Sequence, residues 1–233
     1  MARSKNSLDK LCGGKTPKDL ESFFKRTADG ELAGAEFVEV NVLPLDDAAE
    51  LSADFRGFHP VVKHLGGVVL DDANTSNHHV YLTAPECAGA VLYLSHDGDA
   101  KIVFANLEEF ESACRKAKES EEPLTMLHPE AGLKLPDQKG LFGLIKRLTT
   151  TQRKAEGIAA ALALIPSSDL SEFEFFAGLA KDDDFYLGEA IGNAIAWRPR
   201  KDLAPLAELC ASHPHFQAKE AGQRALAAIK KLN

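Results

Sequence analysis

The sequence has few of the residues that mark metal centres and disulfide scaffolds. Its 233 residues include four cysteines, two methionines and one tryptophan. The cysteines, Cys12, Cys87, Cys114 and Cys210, are far apart, so no two have the Cys-x-x-Cys spacing of a zinc or redox site. We therefore expect reduced, structural thiols, no metal and no cofactor.

Long hydrophobic runs are also missing. The longest apolar run covers residues 157–165, about half of the ~20 residues that a membrane-spanning helix needs. The first six residues, Met1-Ala2-Arg3-Ser4-Lys5-Asn6, contain no apolar core of an export signal. These features predict a soluble cytoplasmic protein that does not associate with membranes.

Sequence motifs of catalysis are absent as well. There is no HExxH, no GxSxG and no dinucleotide fingerprint. Gly13-Gly14-Lys15-Thr16 ends like a phosphate-binding loop, but Asp9 stands where the pattern requires its first glycine. We expect no enzymatic activity. A hydrolase that uses Asp97 and Asp99 in a cleft stays open as an alternative, although Asp97-Gly98-Asp99 is more simply a hairpin turn.

Negative charge is concentrated in the middle of the chain. The formal net charge is −8, yet residues 29–109 alone hold 15 acidic and three basic residues, whereas residues 121–233 hold 15 acidic and 14 basic residues. An acidic surface repels nucleic acid and anionic lipid and attracts a basic partner over long range. The charge pattern therefore favours a basic protein partner, and a merely solvating acidic face is the simpler alternative.

The first half of the chain alternates helix and strand signals. Thr16 is predicted to cap a helix with Pro17 at its first position, and Asn106 with Glu109 predicts a capping box. Residues 36–43 alternate valine with polar residues, which is typical of a half-buried strand. Short strand-like runs follow at residues 61–62, 68–70, 79–82, 91–94 and 102–104. The short spacings predict an antiparallel meander flanked by helices, an α+β domain over residues 1–118.

The second half is predicted to be helical throughout. Residues 119–140, rich in glutamate, proline and glycine, are interpreted as a connector, and residues 141–233 as an α-helical domain. Three segments of this domain align, starting at Glu156, Glu189 and Glu220, and each has alanine five residues later, then leucine or isoleucine, then alanine. Small residues at this period predict helices that pack closely in a short solenoid. The pattern resembles HEAT-like repeats.

The element order of the first 118 residues resembles the SUKH superfamily, the fold of cell-wall-synthesis regulators and of many bacterial toxin-immunity proteins. Its opening helix appears as Thr16-Pro17-Lys18-Asp19-Leu20-Glu21-Ser22-Phe23-Phe24, which stops at Ala28-Asp29-Gly30. Its closing strands and helix appear as Ala90-Val91-Leu92-Tyr93-Leu94-Ser95-His96-Asp97-Gly98, then Ile102-Val103-Phe104-Ala105, then Asn106-Leu107-Glu108-Glu109-Phe110.

The resemblance implies a binding function rather than catalysis. Proteins of this kind neutralise a toxin domain, often a basic nuclease, by stoichiometric binding, so the expected partner is a basic toxin domain. Eight acidic residues are the predicted partner contacts: Asp46, Asp47, Glu50, Asp54, Asp71, Asp72, Asp97 and Asp99. The alternative is an adaptor or scaffold that binds cellular proteins through its helical repeats.

Overall fold

The computed structural model describes residues 8–98, 100–151 and 154–232, and the chain in it divides into two compact units. The first unit ends at Pro129 and the second begins at Glu130. The division falls within residues 119–140, the predicted connector. Part of that segment belongs to the first core, because the 3-10 turn Leu124–Leu127 buries Leu124 there.

Helices of the first unit surround a small sheet. Helix α1 is described over residues 8–11, and it is followed by α2 (Lys18–Arg26), α3 (Leu45–Phe58), α4 (Pro60–Leu65) and, after the sheet, α5 (Leu107–Ser120). The strands are β1 (Val68–Val69), β2 (His78–Tyr81), β3 (Val91–Leu94) and β4 (Lys101–Phe104). They form an antiparallel sheet in the order β1-β2-β3-β4. The predicted meander and the mixed helix-and-sheet class are confirmed.

The core of the first unit lies where α2, α5 and the sheet meet. Phe23 and Phe110 are fully buried there with their ring centroids 6.0 Å apart. Asn106 caps α5 as predicted, since its side chain accepts a hydrogen bond from the backbone N–H of Glu109. The Glu109 carboxylate accepts one from the N–H of Ala105 in return, which completes a capping box displaced by one residue.

Two strand predictions in this unit are wrong. Residues 36–43 form a 3-10 turn, Glu36–Val38, and then single bridges from Ala35 to Val40 and from Val42 to Asp71. Glu39 is left-handed, with φ 60°, so the chain reverses before a ladder can form. Residues 61–62 lie in α4, because Pro60 opens a helix there and left-handed Gly66 closes it.

The predicted cap at Thr16 is also wrong. Pro17 takes the N-cap position of α2 and makes no side-chain capping hydrogen bond. The hydroxyl and the backbone N–H of Thr16 instead donate to the Asp9 carboxylate, at 2.5 and 2.7 Å. Helix α2 thus begins one residue later than predicted. The hydrogen bonds from Thr16 to Asp9 stabilise the turn that precedes the helix.

The described part of the second unit is helical, without a strand among its residues. Its helices are α6 (Gln138–Thr149), α7 (Lys154–Leu164), α8 (Phe173–Leu179), α9 (Phe185–Trp197), α10 (Ala204–Ala211) and α11 (Phe216–Lys230). The three aligned segments lie in α7, α9 and α11, and α9 packs on both α7 and α11.

Close helix contacts in this unit depend on glycine. A Cβ added to Gly192 would lie 2.8 Å from the Cβ of Ala221, and one added to Gly222 would lie 2.1 Å from the backbone nitrogen of Ala211. Both distances are too short for any side chain. The small residues of the aligned segments therefore allow α9, α10 and α11 to approach one another.

Candidate functional site

Four of the predicted contact residues lie together on α3. The helix follows Pro44, and Asp46 and Asp47 in its first turn are placed favourably at the positive end of the helix dipole. The opposite side of the helix is buried and carries Ala48, Ala49 and Ser52. The Ser52 hydroxyl accepts a hydrogen bond from the backbone N–H of Val69 at 2.8 Å. Docking on β1 therefore turns the acidic side of α3 to solvent.

The exposed side of α3 carries a row of acids that ends in an aromatic ring. Asp46, Glu50, Asp54 and Phe58 follow at intervals of four residues, which places them on neighbouring turns, and all four are exposed. Phe58 keeps 68% of its surface exposed, with its ring centroid 5.0 Å from that of Phe55. We call these four residues, with the adjacent Asp47, the α3 ridge.

The described residues do not neutralise the charge on the α3 ridge. In the part of the chain that the structure describes, no ion pair or hydrogen bond joins its four carboxylates to a cationic side chain. Their field therefore extends into solvent, where it can act on an approaching partner.

The remaining predicted contacts lie elsewhere and differ in exposure. Asp97 is exposed in the turn after β3. Asp72 is partly buried, and its carboxylate accepts a hydrogen bond from the backbone N–H of Asn74 at 3.1 Å, which closes a local turn. Asp99 lies outside the described residues. The structure thus brings four of the eight together and assigns two others to different loops.

Asp71 occupies the interior rather than the surface. Only 2% of it is exposed, and its carboxylate accepts hydrogen bonds from the backbone N–H of His79 at 2.6 Å and from the His79 ring Nδ1 at 2.5 Å. A carboxylate in this position cannot contact a partner. No local sequence pattern indicates this burial, because the loop acid and its histidine are brought together by strand pairing.

The buried pair continues into a second histidine. Nε2 of His79 lies 2.9 Å from Nε2 of His128, which follows the 3-10 turn after α5. The ring of Tyr93 packs against both, with centroids 5.3 Å from His79 and 4.7 Å from His128. The ring of His78 packs elsewhere, with its centroid 4.9 Å from that of Phe55. The side chains of the two adjacent histidines therefore lie on different sides of the sheet.

Protonation of this network is constrained by burial. Burial, and to a smaller extent the nearby His79 and Lys101, lowers the pKa of His128 to about 3, so His128 is neutral at physiological pH. A single proton then joins the two Nε2 atoms, while the Nδ1–H of His79 donates to Asp71. This chain of bonds fastens residue 128 to the sheet and satisfies the buried carboxylate.

Sequence reasoning missed His128 and Phe58. Forty-nine residues separate His79 from His128, and no local pattern connects them. Phe58 could have been found, because it extends the four-residue spacing of Asp46, Glu50 and Asp54 by one more step.

Neither a metal site nor a membrane-spanning helix is found among the described residues. No set of three or more histidine, cysteine or acidic side chains among the described residues is arranged to hold a metal ion. No helix in the described ranges has the length and apolarity to cross a membrane. Comparison with protein-family models, with curated proteins and with solved structures gave no match to this chain.

Proposed function

We propose that this protein is a non-catalytic binding module with a SUKH-like first unit, and most specifically an immunity protein that neutralises a basic, nuclease-like toxin by stoichiometric binding. The observation that carries the proposal is the α3 ridge. Four carboxylates that have no ion-pair partner among the described residues lie with one exposed phenylalanine on one face of a helix, and the opposite side of this helix is anchored in the core.

The ridge suits a basic partner in two ways. Clefts that hold nucleic-acid phosphates are lined with lysine and arginine, so a row of carboxylates can fill such a cleft and speed the encounter. Phe58 supplies apolar area at the end of the row, and exposed aromatic residues are typical anchors of protein interfaces. The same negative field disfavours binding to nucleic acid or to an anionic membrane.

The test uses two variants of equal charge. The ridge variant carries D46N, D47N, E50Q and D54N, and the control carries E108Q, E119Q, E121Q and E122Q, four exposed acids at the two ends of α5. Each variant loses four negative charges from the net of −8. The two proteins and the wild type are used as bait in native lysate at low and physiological salt, and captured proteins are identified by mass spectrometry.

We expect wild type and control to retain one basic toxin domain in equimolar amount and to block its activity. The ridge variant should then associate with the purified toxin at least ~10-fold more slowly, with a weaker dependence on salt. Equal association rates for the two variants would reject the α3 ridge as the binding surface. Failure of the wild type to neutralise the captured protein would reject the immunity function.

Phe58→Ala provides a separate test of the aromatic end of the ridge. Since charge is unchanged, the association rate should remain within about twofold, and dissociation should become ~10-fold faster. Phe37, which is 74% exposed on the 3-10 turn Glu36–Val38, is the matched control. A larger effect from Phe37→Ala than from Phe58→Ala would move the contact away from α3.

An adaptor or scaffold role is the second candidate, and exposed rings of the second unit favour it. Tyr186 and Phe216, at the starts of α9 and α11, are 51% and 63% exposed, and between them Phe185 stacks on His215 with centroids 3.5 Å apart. A scaffold would retain several cellular proteins from lysate, and the full-length Y186A/F216A variant would lose them. Unchanged capture by that variant counts against the scaffold.

A further inference from the structure

A small pocket in the second unit is formed by the segment after α7 and by the end of α9. Its volume is about 200 Å³, and its lining includes Lys134, Asp169, Leu170, Arg198 and Arg200. Small-molecule sites usually enclose ~300–1,000 Å³, so this pocket is sized for a small ion or for one chemical group of a larger ligand.

The wall of the pocket is held in place from two sides. The Gln138 side chain accepts a hydrogen bond from the N–H of Asp169 at 2.6 Å and donates to the carbonyl of Ser167 at 3.1 Å. The Nη2 group of Arg198 donates to the carbonyls of Pro166 and Ser168, the latter at 3.0 Å. The pocket is therefore built by specific contacts.

Backbone strain occurs at the same place. Leu170 lines the pocket with φ 58°, a left-handed conformation, although it is 2% exposed and has a bulky side chain. A non-glycine residue in this conformation is strained, and such residues cluster at binding sites.

The lining is rich in positive charge. The described lining residues include three cations, Lys134, Arg198 and Arg200, and one carboxylate, Asp169. The Oδ2 atom of Asp169 lies 3.8 Å from the Nζ atom of Lys134. Arg200 also pairs with Asp202 outside the lining, at 2.7 Å.

Arg198 is the least compensated of these cations. Its hydrogen bonds to protein go to neutral carbonyls, and its Nη1 is buried without a partner among the described residues. A buried guanidinium N–H without an acceptor is costly. An anion in the pocket would supply the missing negative charge.

We propose that this pocket binds a small oxyanion, and that a phosphate group is its preferred ligand. Three cations from two separate segments surround a space that suits a tetrahedral ion, and with Asp169 and Asp202 counted they keep an excess of one positive charge. The guanidinium groups of Arg198 and Arg200 can each donate two hydrogen bonds to the oxygens of one phosphate group. Free phosphate and the phosphate group of a monoester share this chemistry. The proposal does not depend on the binding function of the α3 ridge.

The experiment measures binding of inorganic phosphate to the full-length protein by NMR titration or calorimetry at constant ionic strength. Sodium chloride controls for screening, acetate tests a planar monoanion, and phosphoserine tests a monoester. K134M and R200M remove lining charges at partly exposed positions, and R198K keeps the charge but loses the planar guanidinium. R224M, at an exposed arginine on α11, is the matched control.

We expect saturable phosphate binding that each pocket variant weakens about 10-fold and that R224M leaves unchanged. Tighter binding of phosphoserine than of phosphate would identify a monoester as the ligand, and equal binding would identify the free ion. Acetate binding as tight as phosphate would overturn the preference for phosphate. If phosphate produced no larger binding signal than chloride, the site itself would be rejected. The same would follow if R224M weakened phosphate binding as much as the pocket variants do.

Discussion

A carboxylate in a protein interior needs hydrogen-bond donors around it, and Asp71 has two. The backbone N–H and ring Nδ1 of His79 satisfy its two oxygens, and His128 completes the chain from the other ring nitrogen. At the scale of single residues this buried network contrasts with the acids of α3, which remain in solvent. One residue type thus serves two roles that differ only in burial.

The low pKa of His128 makes stability depend on pH. Folding depresses this pKa to about 3, whereas an unfolded histidine titrates near 6.5. Below about pH 6.5 the unfolded chain therefore binds a proton that folded His128 does not, and unfolding is favoured by up to ~1.4 kcal/mol per pH unit until about pH 3. The contribution is fully present above about pH 6.5 and is lost as the pH falls.

This dependence can be measured by urea unfolding between pH 8 and pH 4. The free energy of unfolding of the wild type should fall more steeply with decreasing pH than that of His128→Gln, and the two slopes should differ by about one proton. His96→Gln, at an exposed histidine in the turn after β3, controls for loss of a surface histidine. Parallel slopes for wild type and His128→Gln would contradict the assignment.

Predictions of helices and strands from local sequence signals are correct where tertiary packing favours the same element. The bounds of β3, Val91–Leu94, match the prediction, and α5 begins at the predicted cap. The valines of residues 36–43 alternate as in a strand and Val38, Val40 and Val42 are buried, yet no ladder forms there. Burial of alternate side chains is thus compatible with a turn, and periodicity alone does not distinguish the two.

Replacement of two glycines by alanine should change the stability of the protein in opposite directions. Gly222→Ala places a Cβ 2.1 Å from the backbone nitrogen of Ala211, so the helices must separate and the protein should lose more than about 2 kcal/mol of stability. Gly143→Ala in α6 has no atom within 4 Å of its added Cβ, and the better helix propensity of alanine should stabilise by up to ~1 kcal/mol.

Thermal or urea unfolding of the two variants measures both effects. A neutral Gly222→Ala would show that α10 and α11 can move apart without loss of packing. Destabilisation by Gly143→Ala would show that α6 has a neighbour at this position.

At the scale of the whole molecule, each unit buries a core of its own. The first core combines residues from α2, the sheet and α5, and the second combines apolar faces of α6 to α11. A unit with its own core can fold alone, so the fragments 1–129 and 130–233 should each unfold cooperatively. Trp197, the one tryptophan of the chain, lies in α9 and reports on the second fragment by fluorescence.

Circular dichroism of the two purified fragments completes the test. Cooperative transitions in both would establish the boundary at residues 129 and 130. A gradual loss of helix signal from 130–233, with no Trp197 transition, would mean that the helical unit requires the first unit to fold.

Elements with local sequence signals could be predicted without the structure. The antiparallel meander, the cap of α5, the helical second half and the acidic character of α3 follow from spacing, capping residues and charge, which act over a few residues. Two sites depend on tertiary structure. Asp71 is buried in the network with His79 and His128. Three cations, Lys134, Arg198 and Arg200, line one pocket. Those contacts join segments 30 or more residues apart, except for the strand-paired Asp71 and His79, and only folding brings their charges within reach of each other.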